Sequence, residues 1–401
     1  MTSEDTWQLD RQARGLYAGR AEPAPLENIR VRLTPPLHTL IRLVLSTFVA
    51  VLLAACSSKP IVPYTTDAVP LALLPANRAG INDQRGRFRE VVCAIMADHG
   101  KALPHYRPCD EALVRVGKEP PGTGEPVDLG TARRKLIAAF VPGVGWECIQ
   151  NWMNYQNEFS EHIGQFAYDS YVLKVDGLSG TDTNARQIRD AILKHADEIE
   201  PRSLVLVGYS KGAPDILTAV VDYPEILPYV AAVVSVAGAV GGSPLAYDAT
   251  EGQLDLLRHA PEADCSAGDG KGVESLRPSV RQDWLNEHPL PDGIPYYSLV
   301  TYPLPDRISS ILKVTHKKLS QIDPRNDSQV IFYDQLIPGS TLMGYLNADH
   351  WAAAVPIAEE HPFIGRHFVD KNDYPRTAIA EALMRFVEED LARRGSAEAP
   401  Q

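Results

Sequence analysis

A serine set between two glycines, after an apolar run and before helical spacing, is the stretch of this chain best placed to do chemistry. In Ser203-Leu-Val-Leu-Val-Gly208-Tyr-Ser210-Lys-Gly212 the four Leu and Val residues read as a buried strand, and Ala213 to Asp222 carries apolar residues at helical spacing. A strand that turns at once into a helix forces the serine into a strained conformation, and glycine leaves room on both sides. Gly-x-Ser-x-Gly in this setting is a nucleophile elbow. It would lift Ser210 above the sheet, over a helix N-terminus, with the Lys211 N–H free to hold an oxyanion. The chemistry would be acyl transfer through a covalent serine intermediate. An ordinary turn with a capping serine is the plainer alternative.

A serine nucleophile needs a histidine base, itself oriented by a carboxylate. His350, in Leu346-Asn-Ala-Asp-His-Trp351, follows the last strand candidate and is the expected base. His316 lies in an expected surface helix, Arg307 to Gln321, and His361 and His367 flank Pro-Phe-Ile-Gly near the final helix. Asp327, in Arg325-Asn-Asp-Ser-Gln-Val330, is the preferred acid. Asp306, just after the Tyr296 to Thr301 strand, is the runner-up, followed by Asp323 and Asp334. A second oxyanion donor should come from the loop after the first strand, where Phe140-Val-Pro-Gly143-Val144-Gly145 points to the Val144 N–H. A tight Pro-Gly turn without a catalytic part is the alternative there.

The elements that must position these groups alternate from residue 131 to 395. Leu136–Val141, Tyr171–Val175, the elbow strand, Ala231–Ala237, Tyr296–Thr301 and Thr341–Asn347 read as strands, with a helix over Asp182–His195. Unbroken apolar strands alternating with helices imply an α/β fold with a mostly parallel sheet covered on both faces. Gly241 to Pro295 breaks the rhythm and reads as a lid over the site. Its Gly268-Asp-Gly-Lys-Gly272 lacks the spacing of a phosphate loop and reads as a mobile turn. Residues 81–130 read as a small helical lobe containing the Gly86–His99 helix, and 57–80 as a Pro-rich tether.

With 401 residues and 44% hydrophobic content, the chain can bury a large core. A net charge of -12 argues against nucleic acid or an anionic membrane as partner. No Cys/His spacing reads as a metal site, and the motifs imply no metal or cofactor. Leu43 to Ala55 is an uncharged apolar run behind Arg30, Arg32 and Arg42, shorter than the roughly 20 residues a spanning helix needs. It has the length of a signal-peptide core. Leu53-Ala-Ala-Cys56 resembles the lipobox of bacterial lipoproteins, which would make 1–56 a leader ending in a lipidated cysteine. Ser57-Ser58 resembles the outer-membrane sorting pattern. The stretch Thr2 to Glu27 holds five acids, Glu4, Asp5, Glu22 and Glu27 among them, unlike a basic leader, so a start nearer Val31 is expected. In an exported protein the remaining Cys93, Cys109, Cys148 and Cys265 can form disulfides, by any of three pairings. Cys93 with Cys109 would close the lobe, and Cys148 with Cys265 would pin the lid.

Gly-Tyr-Ser210-Lys-Gly, Pro-Gly-Val144-Gly, Asn-Asp327 and Asp-His350-Trp, in this order, resemble an α/β-hydrolase of the bacterial lipase and esterase kind. Asn-Asp327 is similar to the Asn-Asp-Gly-x-Val acid segment of bacterial triacylglycerol lipases, with Ser328 in place of the glycine. The Gly143 loop is similar to their His-Gly-x-x-Gly segment, with proline in place of histidine. The resemblance implies a lipid-anchored serine hydrolase of acyl esters or lipids, attached to the bacterial outer membrane. A thioesterase or acyltransferase with the same triad, or a non-catalytic binding module of the same fold, is the alternative.

Overall fold

The computed structural model describes residues 80–149, 156–248 and 265–397. The expected leader, Cys56, the tether before residue 80 and the middle of the expected lid, 249–264, lie outside the described residues. The strands are β1 (Asn82–Asp83), β2 (Leu136–Val141), β3 (Asp169–Val172), β4 (Ser203–Tyr209), β5 (Val230–Val236), β6 (Tyr296–Thr301) and β7 (Thr341–Leu346). They form one sheet in the order β1-β7-β6-β5-β4-β2-β3, and every neighbouring pair is parallel. The longer helices are α1 (Arg85–Asp98), α2 (Gln156–Gly164), α3 (Thr181–Lys194), α4 (Gly212–Asp222), α5 (Pro278–Glu287), α6 (Lys313–Leu319) and α7 (Arg376–Ala397).

Along β2, Leu136 and Ala138 enter one core while Ile137, Ala139 and Val141 enter another. This two-residue alternation, apolar on both sides, is what a parallel sheet buried on both faces requires. The first core is closed by α1, α2 and α7, the second by α3 and α4. The chain therefore has the expected α/β architecture, with β4 inside the sheet between β5 and β2 and α4 packed on one face.

Residues 81–130, expected as a small lobe, are joined to the sheet. Asn82 and Asp83 pair with Thr341 and Leu342 of β7. Phe88, Val91, Val92, Ile95 and Met96 form one helical stripe on α1, buried against the sheet and α7. Phe88 meets Phe386 edge to face at 5.7 Å. A disulfide joins Cys93 of α1 to Cys109.

Two expectations shift. The third strand comes earlier, at Asp169–Val172 instead of 171–175. The helix expected over 307–321 is two 3-10 turns, Pro305–Arg307 and Ser310–Leu312, followed by the short α6. The reason is a pair of long-range contacts: the N–H groups of Ser309 and Ser310 donate to the carboxylates of Asp349 (2.8 Å) and Asp370 (2.7 Å), not to helical carbonyls. His316 on α6 is half-buried rather than freely solvated.

The described parts of the expected lid are anchored. Cys265 forms a disulfide with Cys148. Asp269, inside the Gly268–Gly272 turn, accepts hydrogen bonds from the Gly180 N–H (2.9 Å) and the Thr183 hydroxyl (2.7 Å) at the start of α3. That turn is docked as a side-chain cap on a helix N-terminus.

Candidate active site

Ser210 sits between the end of β4 and the start of α4 with φ of 54°. The flanking glycines are dictated by close approach. A Cβ on Gly208 would lie 2.5 Å from the Ala213 backbone, and one on Gly212 would lie 2.0 Å from the Val141 carbonyl oxygen. Any larger residue at either position would push α4 off the sheet. Ser210 is held by its own backbone: its N–H donates to Val236 O (3.2 Å), and its carbonyl accepts from the Ala239 N–H (2.9 Å).

The hydroxyl of Ser210 lies 2.9 Å from His350 Nε2, and His350 Nδ1 lies 2.7 Å from Asp327 Oδ2. The three groups come from the ends of β4, β7 and the loop after α6. Backbone contacts lock them in register: the His350 N–H donates to Asp327 O (2.9 Å), and the Tyr209 hydroxyl donates to His350 O (2.8 Å). The Asp327 carboxylate is fully buried and fully partnered. Its Oδ1 accepts from the N–H groups of Gln329 (2.9 Å) and Val330 (2.7 Å), and its Oδ2 accepts from the Thr301 hydroxyl (2.5 Å) besides His350. Gln335 Nε2 approaches the same oxygen at 3.3 Å.

The other carboxylates considered are elsewhere. Asp306 is exposed in its 3-10 turn. Asp323 holds Arg325 through two contacts, at 2.8 and 2.6 Å. Asp334 is buried, and burial pushes its carboxyl well above the usual range. Ser328, which stands where the related motif has glycine, adopts φ of 84°, the backbone region that glycine favours.

The two expected oxyanion donors flank the serine. Lys211 opens α4, so its N–H belongs to a helix N-terminus. The loop carrying Val144 comes close on the other side: a Cβ on Gly143 would sit 2.9 Å from Ser210 Cβ and 3.3 Å from its Oγ. Val144 packs with Leu178, Cys148 and Cys265, so the disulfide braces this loop.

The supporting residues were not legible in advance. The Lys211 side chain turns inward, and its Nζ lies 2.7 and 2.8 Å from the two oxygens of the fully buried Asp215. Asn184 donates to the same carboxylate at 2.7 Å. Burial raises the Asp215 carboxyl, against the pull of Lys211, Asn184 and the buried Arg281. Asp349 accepts from the N–H groups of Ser309 and Ala352 and so frames the histidine loop. The one signal for these residues is position: Thr301 ends a strand beside β7, Tyr209 fills the elbow's variable site, and Asp215 is four residues beyond Lys211.

No protein-family model matches the chain, and no curated protein matches it. Among solved structures, a carboxyl esterase of metagenomic origin is 38% identical, covering 83% of this chain and 100% of its own, with a TM-score of 0.75. The Bacillus licheniformis lipase BlEst2 in its mature form is 21% identical, over 61% of this chain and 95% of its own, with a TM-score of 0.45. The Staphylococcus hyicus lipase is 11% identical, over 68% of this chain and 100% of its own, with a TM-score of 0.49. On the strength of the first of these, the chain belongs to that family of carboxyl esterases of the α/β-hydrolase fold and is an ester hydrolase.

Proposed function

We propose that this protein hydrolyses acyl esters through a Ser210–His350–Asp327 triad while held to the outer membrane by a lipid on Cys56. The observation that carries the triad is the continuous chain of contacts, Ser210 Oγ to His350 Nε2 at 2.9 Å and His350 Nδ1 to Asp327 at 2.7 Å. His350 takes the Ser210 proton as Oγ attacks the ester carbonyl. The resulting oxyanion is held by the N–H groups of Lys211 and Val144, which act without reorganising because helix and disulfide-braced loop fix them. His350 then protonates the departing alcohol, and water, activated by the same imidazole, releases the acid from the acyl-enzyme. Asp327 holds the ring in the tautomer with its free lone pair toward Ser210.

The substrate class is an acyl ester, including lipid esters. The anchor rests on the basic flank, the short apolar core and Leu53-Ala-Ala-Cys56. A fluorophosphonate probe tests the triad: it should label the wild type and not Ser210→Ala, whose ester hydrolysis should fall by about 10⁴- to 10⁶-fold. Labelling of a different serine would discard the reading. Partition of the wild type with membranes, and a Cys56→Ser variant left unprocessed at Ala55, would support the anchor; a mature N-terminus elsewhere with no lipid attached would end it.

A further inference from the structure

We propose that His99, His162 and Glu381 form a site for a borderline divalent metal ion, Zn²⁺ in the first instance, that ties three helices together. His99 follows the last residue of α1, His162 lies on α2 and Glu381 on α7. Separated by as many as 282 residues, they lack any ligand spacing in the sequence, which is why none was read there. In the fold their ligand atoms all lie within 4.8 Å of one another. His99 Nε2 and His162 Nε2 converge on one carboxylate oxygen, Glu381 Oε2, at 2.8 and 2.6 Å. A tetrahedral zinc ion with ligands at about 2.0–2.2 Å sets its ligand atoms roughly 3.4 Å apart, so small side-chain rotations suffice to admit it. Two imidazoles and a carboxylate are a donor set suited to zinc and not to magnesium or calcium.

The surroundings orient the ligands as metal sites require. Asp98 Oδ2 lies 2.9 Å from His99 Nδ1, which turns Nε2 toward the centre. Arg385 Nε donates to Glu381 Oε1 (2.7 Å) and leaves Oε2 facing the imidazoles. Arg385 is itself fixed by the carbonyls of Asp128 (3.0 Å), Leu129 (2.9 Å) and Gly130 (2.8 Å). The Phe166 ring walls the site, 5.6 Å from His99 and 5.4 Å from His162. Glu381 is fully buried, whereas the His99 side chain keeps 23% of its surface in solvent. That opening gives an entry path and room for water as fourth ligand. Bound there, the ion closes α1 and α2 onto α7, adding to their apolar contacts and to the Arg87–Glu389 ion pair (2.8 Å) that joins α1 to α7.

The test uses the full protein, stripped with chelator and dialysed against Zn²⁺. Elemental analysis should find about one zinc per chain, and Co²⁺ in its place should give the visible bands of a tetrahedral nitrogen and oxygen site. Zinc at about 100 times its Kd should raise Tm by about 4 °C, with Mg²⁺ giving no shift. His99→Gln and His162→Gln, checked for folding in chelator by circular dichroism, should each weaken zinc at least about 100-fold and abolish the cobalt bands, while ester hydrolysis is retained. A zinc-exposed wild type holding no zinc overturns the proposal, as does a double variant that binds zinc as tightly as the wild type.

Discussion

Asp327→Asn is the substitution whose outcome the geometry constrains most. The two backbone donors at Oδ1, the N–H groups of Gln329 at 2.9 Å and Val330 at 2.7 Å, demand an acceptor at that position. An asparagine must therefore place its oxygen there and turn its NH₂ toward His350 Nδ1. Two N–H groups cannot face each other at 2.7 Å, so the imidazole gives up its Nδ1 proton and carries it on Nε2, pointing at Ser210. In that tautomer His350 cannot accept the serine proton. The measured penalty for the equivalent change in a serine protease is about 10⁴ in kcat, roughly 5 kcal/mol of transition-state stabilisation. We expect at least about a 10²-fold loss here, with the fold intact because shape and volume are kept. Asp306→Asn, in an exposed turn, should stay within about tenfold. The assay is steady-state hydrolysis of p-nitrophenyl butyrate by variants matched in circular dichroism. An Asp327→Asn enzyme within tenfold of wild type, or a larger loss at Asp306, would refute the tautomer argument.

Three further outcomes can be checked. Asp215 is shared by Lys211 and the buried Arg281, whose guanidinium burial lowers to about 10. Asp215→Asn strands two buried cations and should cost about 3–5 kcal/mol in urea unfolding, whereas Lys211→Met leaves Asp215 beside Arg281 and should cost less; the opposite ranking would be fatal to this account. Ser328→Gly removes the strain of φ 84° and a buried hydroxyl that has no partner among the described residues, so stability should rise by about 1 kcal/mol with kcat unchanged. A drop in Tm would contradict it. Asp334 has a carboxyl raised by burial and then by Asp323. A raised acid stabilises fully below its unfolded pKa of about 3.9 and loses that contribution as pH climbs through its folded value. Asp334→Asn should therefore gain on wild type in Tm as pH rises from about 5 to 8, and a gap that stays constant would count against it.

What the sequence disclosed followed from how local each signal is. β2 and β6 were placed to the residue because Leu136–Val141 is an unbroken apolar run and Tyr296–Thr301 is rich in aromatic and β-branched residues. The order of elbow, acid segment and histidine loop was visible because each is a short stretch at a strand end. β1 was invisible: Asn82 and Asp83 are polar, and only pairing with β7 makes them a strand. The truncated helix after residue 307 escaped for a related reason, since the carboxylates that capture its N–H groups, Asp349 and Asp370, lie 40 and 60 residues away. The partners of Asp327 and Lys211 are likewise distant or buried contacts with no pattern of their own. Hydrogen bonds that no local sequence pattern announces decided all of these.

The pairing of β7 with the N-terminal segment has a consequence for solubility. All six residues of β7 are buried, and its outer side is covered in two pieces. Asn82 and Gln84 donate to Ser340 and Leu342 at one end, and Val114 donates to Tyr345 at the other. The Cys93–Cys109 disulfide ties those two pieces to each other. Remove them and an apolar strand is left with a free row of backbone donors and acceptors, a template for a second chain to add a strand. A hydrolase domain trimmed to begin near residue 131 would keep every residue of the proposed triad and still be driven to self-associate. The segment before the first long strand thus acts as a guard against aggregation, and oxidation of one thiol pair keeps that guard in place.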